Sequence, residues 1–289
     1  MTFVPEGHTI HRLARDLNAS FDGSKIHASS PQGRFDAGAS KLDGQLCDGF
    51  EAFGKHLVGY FSTGDVLHVH LGLIGKFRKA KGDPVGAVRL RLAVDDVNWD
   101  LRGPMVCDLG DPDLADKVAA LVGPDPLRSD RPGAVPQVDT FVASMKRRRI
   151  AIGAALLDQK IVAGIGNVYR AELLFICGID PLTPSNALDE SELRLLWDLT
   201  TEQLRLGEKL NRIVTVDPAV VGCKTPEAIP AGERLYAYKR EEQPCRVCDT
   251  PIELLEVAAR KMWRCPVCQQ TGTTTAAKKK AAAKKGTTL

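Results

Sequence analysis

The sequence predicts an α+β chain of several domains: an N-terminal antiparallel β-sandwich with flanking helices, a mainly helical second domain, and a short C-terminal zinc finger of four cysteines. Three observations carry this expectation. Val88, Leu90, Leu92 and Val94 alternate with Arg89, Arg91 and Ala93, the period of a half-buried strand. The stretch GPDPLRSDRPGAVPQV, residues 123–138, holds four prolines and no periodicity, and beyond it the apolar spacing turns helical. Near the C-terminus two Cys-x-x-Cys pairs stand 16 residues apart. A chain of 289 residues is long enough for two domains that each bury a core.

Taken in order, Ile10, Leu13, Ala14 and Leu17 fall on one face of a helix over residues 9–21, which puts Pro5 and Glu6 at a helix entrance. Strand character follows at 66–73 and 88–94, and turn signals such as Asp22-Gly23 and Asp43-Gly44 separate such runs, the pattern of an antiparallel sandwich. Helical spacing marks 141–145, 150–157, 168–177 and 191–206. The implied boundaries are an N-terminal domain over 1–124, a linker over 125–138, a helical domain over 139–233, the cysteine finger over 234–271 and a lysine-rich tail over 272–289. Lys278, Lys279, Lys280, Lys284 and Lys285 have little to pack against, so the tail is expected to be disordered.

Composition excludes some classes and leaves others open. The hydrophobic share is 44%, but no apolar run approaches the roughly 18 residues of a membrane span, and the start lacks the pattern of a signal peptide. A cytoplasmic protein is the expectation. Net charge is +3; residues 1–131 hold 16 basic and 18 acidic groups, and 132–289 hold 23 and 18, from totals of 39 and 36. A surplus of this size fits a polyanionic partner and an ordinary solvated face equally. Of eight cysteines, Cys47, Cys107, Cys177 and Cys223 are scattered beside apolar stretches and read as buried thiols.

The other four are grouped. Cys245 with Cys248, and Cys265 with Cys268, have the spacing of a tetrahedral four-thiolate zinc site. Disulfides are the alternative, disfavoured in a reducing compartment. Four thiolates leave no position for substrate, so one structural zinc and no catalytic metal are expected. Arg240, Arg246, Arg260, Lys261 and Arg264 lie around the cysteines and suggest a nucleic-acid finger. In LLDQKIVAGIGNVYRAELLF, Gly164 and Gly166 separate two helical patterns and Asn167 opens the second. Backbone N–H groups there, with the Asn167 amide, suit a phosphate. A tight inter-helix turn capped by Asn167 fits as well. A dinucleotide site fits poorly, since no strand precedes the turn and a third glycine is missing.

Several segments together resemble the formamidopyrimidine-DNA glycosylase and endonuclease VIII family. PEGHTIHRLARDL resembles its proline-glutamate-glycine opening, LLDQKIVAGIGNVYRAELLFICGIDPL its helix–two-turn–helix DNA-binding motif, and YAYKREEQPCRVC through RKMWRCPVCQ its zinc finger. With GKHLV and HLGLIGKFR, the resemblance spans residues 5 to 270. It implies damaged DNA as partner and a bifunctional glycosylase and abasic-site lyase in which Pro5 is the nucleophile, Glu6 the general acid and base, and Lys55 a catalytic contact to phosphate. It further implies that Asn167 binds DNA, that Leu73 enters the gap left by the extruded base, and that Arg260 inserts into DNA. Each has a plainer reading: a helix-dipole charge for Glu6, a solvated lysine for Lys55, a core leucine at a strand end for Leu73.

The sequence departs from the family in two places. Thr9 stands where members often have a second glutamate, flanked by His8 and His11, which read as polar surface or groove residues. Met1 to Val4 precede Pro5, and a proline inside a peptide bond has no free amine. The expectation is that translation starts three codons later, at Val4 read as methionine, and that removal of this residue exposes Pro5. The alternatives are proteolytic trimming that exposes Pro5 or, if residues 1–4 are retained, a non-catalytic lesion-binding protein. The oxidised-purine members carry an arginine and phenylalanine wedge that is not evident in DLRGPMVCDLG. This favours the endonuclease VIII branch and oxidised pyrimidines, with an oxidised-guanine glycosylase as the alternative. Nothing in the sequence argues against a monomer.

Overall fold

A computed structural model describes residues 5–130 and 134–270; the expectations for residues 1–4 and for the lysine-rich tail lie outside the described residues. The chain divides into two compact units, 1–122 and 123–289. The second therefore takes in all of the proline-rich stretch, 123–138. Asp125 is buried there, its N–H donating to the Gln137 side chain at 2.7 Å, and Ala163 N–H donates to the carbonyl of Pro124 at 2.8 Å.

In the first unit, helix α1 (Gly7–Phe21) is followed by strand β1 (His27–Ser29), helix α2 (Asp36–Leu42), strands β2 (Cys47–Phe53), β3 (His56–Phe61), β4 (Val66–His70), β5 (Lys76–Ala80), β6 (Val88–Val94), β7 (Val97–Arg102) and β8 (Val106–Gly110), and helix α3 (Asp113–Ala119). They form two antiparallel four-stranded sheets, ordered β1-β6-β7-β5 and β2-β3-β4-β8. Phe50, Leu57, Leu67 and Val69 of one sheet and Phe77, Leu90, Leu92 and Leu101 of the other share one core with Ile10, Leu13 and Leu17 of α1. This is the expected β-sandwich, and α1 is held to it by polar bonds as well. Asn18 donates to the Phe50 carbonyl at 2.9 Å and accepts from the Phe50 N–H at 2.6 Å, next to a register shift between Cys47 and Gly49. A smaller cluster of Phe53, Val58 and Val66 lies under Val118 of α3.

Alternation in β6 holds for Val88, Leu90 and Leu92, but Arg91 is buried too. Its guanidinium makes a bidentate bond to Asp100 at 2.6 and 3.0 Å, and Arg102 adds a third at 2.7 Å. A charge taken from water needs such pairing.

The second unit contains α4 (Gln137–Lys146), α5 (Ile152–Ala155), α6 (Asn167–Cys177), α7 (Glu190–Leu210) and a hairpin of β9 (Glu253–Val257) and β10 (Arg260–Arg264). Helix α6 is its axis, with Val168 to Phe175 all buried, Arg170 and Glu172 included. Glu172 accepts backbone N–H bonds from Tyr236, Ala237 and Tyr238 at 2.7 to 2.8 Å and the Thr215 hydroxyl. One carboxylate thus fastens the approach to the cysteine finger onto α6. Helix α7 starts with a reciprocal capping box between Asp189 and Glu192 and ends at Asn211 with φ 52°.

The scattered thiols Cys47, Cys107 and Cys177 are buried, and burial pushes them up to about 11, 12 and 12 respectively. Cys223 is only half-buried, against expectation, because it lies in a loop after a short 3-10 turn rather than on a packed element. No helix among the described residues is long and apolar enough to cross a membrane.

Candidate nucleic-acid interface and metal centre

Pro5 and Glu6 are buried at the start of α1, with Glu6 in the N-cap position in an extended conformation. The Glu6 side chain makes no capping hydrogen bond, and its place at the N-cap of α1 is also where a helix-dipole charge would sit. His8, expected on the surface or in a groove, is the second residue of α1 and is buried instead. Burial, with His11 adding to it, holds its imidazole down to about 3, so it is neutral at neutral pH.

Lys55 occupies the two-residue turn between β2 and β3. Phe53 pairs with His56 across it, and Gly54 takes φ 57°, as a tight hairpin requires at its first central position. His56 pairs with His70 on β4, and His70 with Val106 on β8, so one end of this sheet gathers the Lys55 turn, the loop after β4 and the loop before β8. Leu73 lies in that loop and is exposed at the tip of a turn, not packed at a strand end. β4 stops at His70 because Gly72 takes φ 65° and Gly75 N–H closes back on the Leu71 carbonyl at 3.0 Å.

Sequence reasoning missed a histidine cluster beside Lys55. His56 Nδ1 and His68 Nε2 are 2.9 Å apart, and the His56 and His70 rings lie 4.7 Å centroid to centroid. His70 Nδ1 accepts the Gly72 N–H at 3.1 Å, which leaves its Nε2 as the N–H donor of the neutral ring. Burial first, then His70, His68 and Lys55, hold His56 down to about 4; burial also lowers His68 and His70. The signal was available: His68 and His70 are two apart in a strand and so share a face.

In the second unit the glycine turn is held from within. Gln159 donates to the carbonyls of Leu157 and Ile165 at 3.0 Å, and its own carbonyl accepts the Gly164 N–H at 3.0 Å, where Gly164 takes φ 87°. Asn167 does not cap α6; Gly166 has the N-cap position and Asn167 is the first helical residue. The Asn167 amide donates to the Lys261 carbonyl at 3.0 Å and its oxygen accepts from Arg170. Arg170 also donates to the carbonyls of Lys261 at 2.9 Å, Val257 at 3.1 Å and Gly153 at 3.2 Å. The α6 entrance and the β9–β10 hairpin are thereby one assembly, with Asn167 bonded to the residue that follows Arg260.

Arg260 is exposed and follows the hairpin tip, where Ala258 and Ala259 both take positive φ, 56° and 54°. The basic residues near the cysteines are not one DNA-facing set. Arg240 donates to the carbonyls of Tyr236 and Pro244, Arg246 to those of Leu235 and Gly232, and Arg264 pairs with Asp180 and Glu253. These three brace the finger, while Arg260 and Lys261 are exposed.

The sulfurs of Cys245, Cys248, Cys265 and Cys268 lie within 4.8 Å of one another and could hold a metal ion. The separations are 3.9 Å for Cys245 to Cys268 and 3.4 Å from Cys248 to Cys265 and to Cys268. A disulfide needs about 2.05 Å, whereas four sulfurs about 2.3 Å from a central ion stand roughly 3.8 Å apart. The donor set fits a tetrahedral soft-ligand metal. Backbone N–H groups of Val247 and Cys268 point at the sulfurs of Cys245 and Cys265 at 3.4 and 3.3 Å, the outer-shell support thiolates use. A hydrogen bond from the Cys268 thiol favours the Cys245 thiolate.

Residues 4–104 match the family model for the formamidopyrimidine-DNA glycosylase N-terminal domain, and 122–216 that for the formamidopyrimidine-DNA glycosylase H2TH domain. The chain is 42% identical to endonuclease 8 1 of Mycobacterium bovis over 274 residues, covering 92% of this chain and all of that protein. Among solved structures it is similar to MutM in complex with DNA containing carbocyclic 8-oxo-G, with TM-score 0.75, 25% identity, and coverage of 92% of this chain and all of the other. It is similar also to Lactococcus lactis Fpg in complex with DNA containing an oxidised pyrimidine, with TM-score 0.73, 25% identity and the same coverage.

Proposed function

The chain belongs to the formamidopyrimidine-DNA glycosylase and endonuclease VIII family of DNA-repair glycosylases with abasic-site lyase activity, and we propose that it acts on oxidised pyrimidines through a Schiff base at Pro5. The observation that carries the choice of lesion is the connection between β7 and β8. It is only Gly103, Pro104 and Met105, with no arginine and phenylalanine wedge, and the endonuclease 8 relative matches over its whole length.

The proposed chemistry follows from the residues. A secondary α-amine titrates near pH 8, against about 10.4 for lysine, so roughly a tenth is free base at neutral pH, and burial of Pro5 favours the neutral form further. Its lone pair attacks the sugar C1′ as the bond to the damaged base breaks. Glu6 takes the N–H proton from the attached amine and passes it to the sugar ring oxygen, the ring opens, and an iminium forms between Pro5 nitrogen and C1′. The iminium draws electrons, so loss of a proton from C2′ expels the 3′ phosphate, and a second elimination expels the 5′ phosphate. The amine exists only in a chain that begins at Pro5. Lys55 holds a phosphate beside the lesion, as its place at the sheet end supports. Asn167, bonded to the Lys261 carbonyl, and Arg260, the residue before Lys261, contact DNA from the second unit. Cys245, Cys248, Cys265 and Cys268 hold one structural zinc ion, which supplies rigidity to the hairpin and no step of the reaction.

Kinetics on duplexes carrying thymine glycol, dihydrouracil or 8-oxoguanine opposite cytosine test the lesion choice. The pyrimidine lesions should be released at least about tenfold faster, a difference of about 1.4 kcal/mol in activation free energy. Faster release of 8-oxoguanine would move the chain to the oxidised-purine reading.

A further inference from the structure

Leu57, Leu67 and Val69 enter the sandwich core, so His56, His68 and His70, which alternate with them along β3 and β4, stand on the opposite face of their sheet. Strand register makes them neighbours: His56 pairs with His70, and His68 lies between Val58 on β3 and Asp108 on β8. The three rings grip one another. His56 Nδ1 is 2.9 Å from His68 Nε2, the distance of an N–H···N bond, and the His56 ring is tilted against that of His70 with 4.7 Å between centroids. His68 is only 7% exposed, and His70 is anchored in turn by accepting the Gly72 N–H at Nδ1.

The imidazole of His56 is thus held on two sides, and His56 is the residue that closes the Lys55 turn. A two-residue turn takes its shape from the pair that flanks it, here Phe53 and His56, and Gly54 already commits one of its two residues to φ 57°. Lysine has a long flexible stem, so the direction in which the backbone launches it is the part of its aim that a fold can fix. The end of a hairpin frays readily when its side chains are not held. Burial and mutual repulsion keep the three rings uncharged at neutral pH, so they add no cation of their own beside Lys55.

We propose that His56 is a positioning residue, whose bond to His68 and contact with His70 fix the turn that aims Lys55 at a DNA phosphate. This rests on the reading of Lys55 as a phosphate contact and extends it to His56 and His68, which act through Lys55. Salt dependence separates such a role from packing. Each cation–phosphate contact adds about 0.9 to the slope of log affinity against log salt, and a neutral residue adds nothing directly. Histidines that only fill the outer face of the sheet would change stability when removed and leave that slope unchanged.

The test is binding of the full chain and its variants, at neutral pH and from about 50 to 200 mM salt, to a duplex carrying tetrahydrofuran, an abasic analogue that needs no proline chemistry. Lys55→Ala should lower the slope by about 0.9 and weaken binding roughly tenfold near 0.1 M salt. His56→Ala should remove half or more of the same slope, and the double variant should fall no further than Lys55→Ala alone. An asparagine amide at 56 stands where Nδ1 was, and a glutamine amide at 68 where Nε2 was, so His56→Asn and His68→Gln should keep most of the slope that His56→Ala and His68→Ala lose. Equal slopes in the alanine and amide variants, or a double variant that falls well below Lys55→Ala, would overturn positioning by His56 and leave the Lys55 contact standing. If His56→Ala does not fold, the two His68 variants decide by the same comparison. An unchanged slope in Lys55→Ala would overturn the phosphate contact itself, and the positioning with it.

Discussion

Lys55 read alone is a surface lysine; what sets it apart is its turn and its neighbours. His56, His68 and His70 are kept neutral by burial and by one another, and a charged imidazole here would face both its partners and Lys55. The linkage has a definite sign. A histidine whose folded value lies below the ordinary 6.5 binds fewer protons folded than unfolded, so its contribution is present above about pH 6.5 and is lost as pH falls toward 4. Urea midpoints measured from pH 8 to pH 4 should therefore fall on acidification, and His56→Asn should flatten the fall. A midpoint constant over that range would mean the imidazoles are hydrated in solution. The cluster was half legible in sequence: the shared face of His68 and His70 follows from strand period, but the His56 partnership needs the register of β3 against β4.

Among elements, the β9–β10 hairpin carries the most local strain. Two consecutive alanines with positive φ each cost about 1–2 kcal/mol relative to a right-handed conformation, and they immediately precede Arg260. Replacing Ala258-Ala259 with Asn-Gly, the residues such a two-residue turn favours, should raise stability by about 1 kcal/mol in chemical denaturation. An unchanged or lowered midpoint would mean that the alanines make compensating contacts. Spacing alone brought the four cysteines together because the metal chemistry is local to each pair. The helix register was likewise legible, although α7 begins at Glu190, one residue before the expected start, where the Asp189 capping box sets it. What sequence could not supply are bonds between distant positions. Glu172 reads as an exposed helical residue until its donors, 43 to 66 residues away, are placed. Arg170 reads as a solvated cation until the carbonyls of Val257 and Lys261 surround one end of it.

At the scale of the whole molecule, net charge was a poor guide. The surplus of five basic groups in 132–289 equals the five lysines of the tail, so the described residues carry no basic excess. The DNA contact we propose falls instead to single residues on shaped elements: Lys55 on a hairpin turn, Asn167 at a helix entrance, Arg260 after a strained tip. Zinc would join the last two to the fold, since the hairpin that bears Arg260 also supplies the carbonyls that Asn167 and Arg170 bind. Removing metal with a strong chelator, or substituting Cys268→Ser, should lower the thermal midpoint and weaken DNA binding together, and an intact binding curve after verified metal loss would show the hairpin to be independent of it. The central claim is that the α-amine of Pro5 is the nucleophile. Two purified forms, one beginning at Met1 and one at Pro5, should be incubated with thymine glycol duplex and then reduced with borohydride. A covalent protein–DNA band from the Pro5 form alone is the expected result; an equal band from the Met1 form would place the nucleophile on another amine and contradict the mechanism.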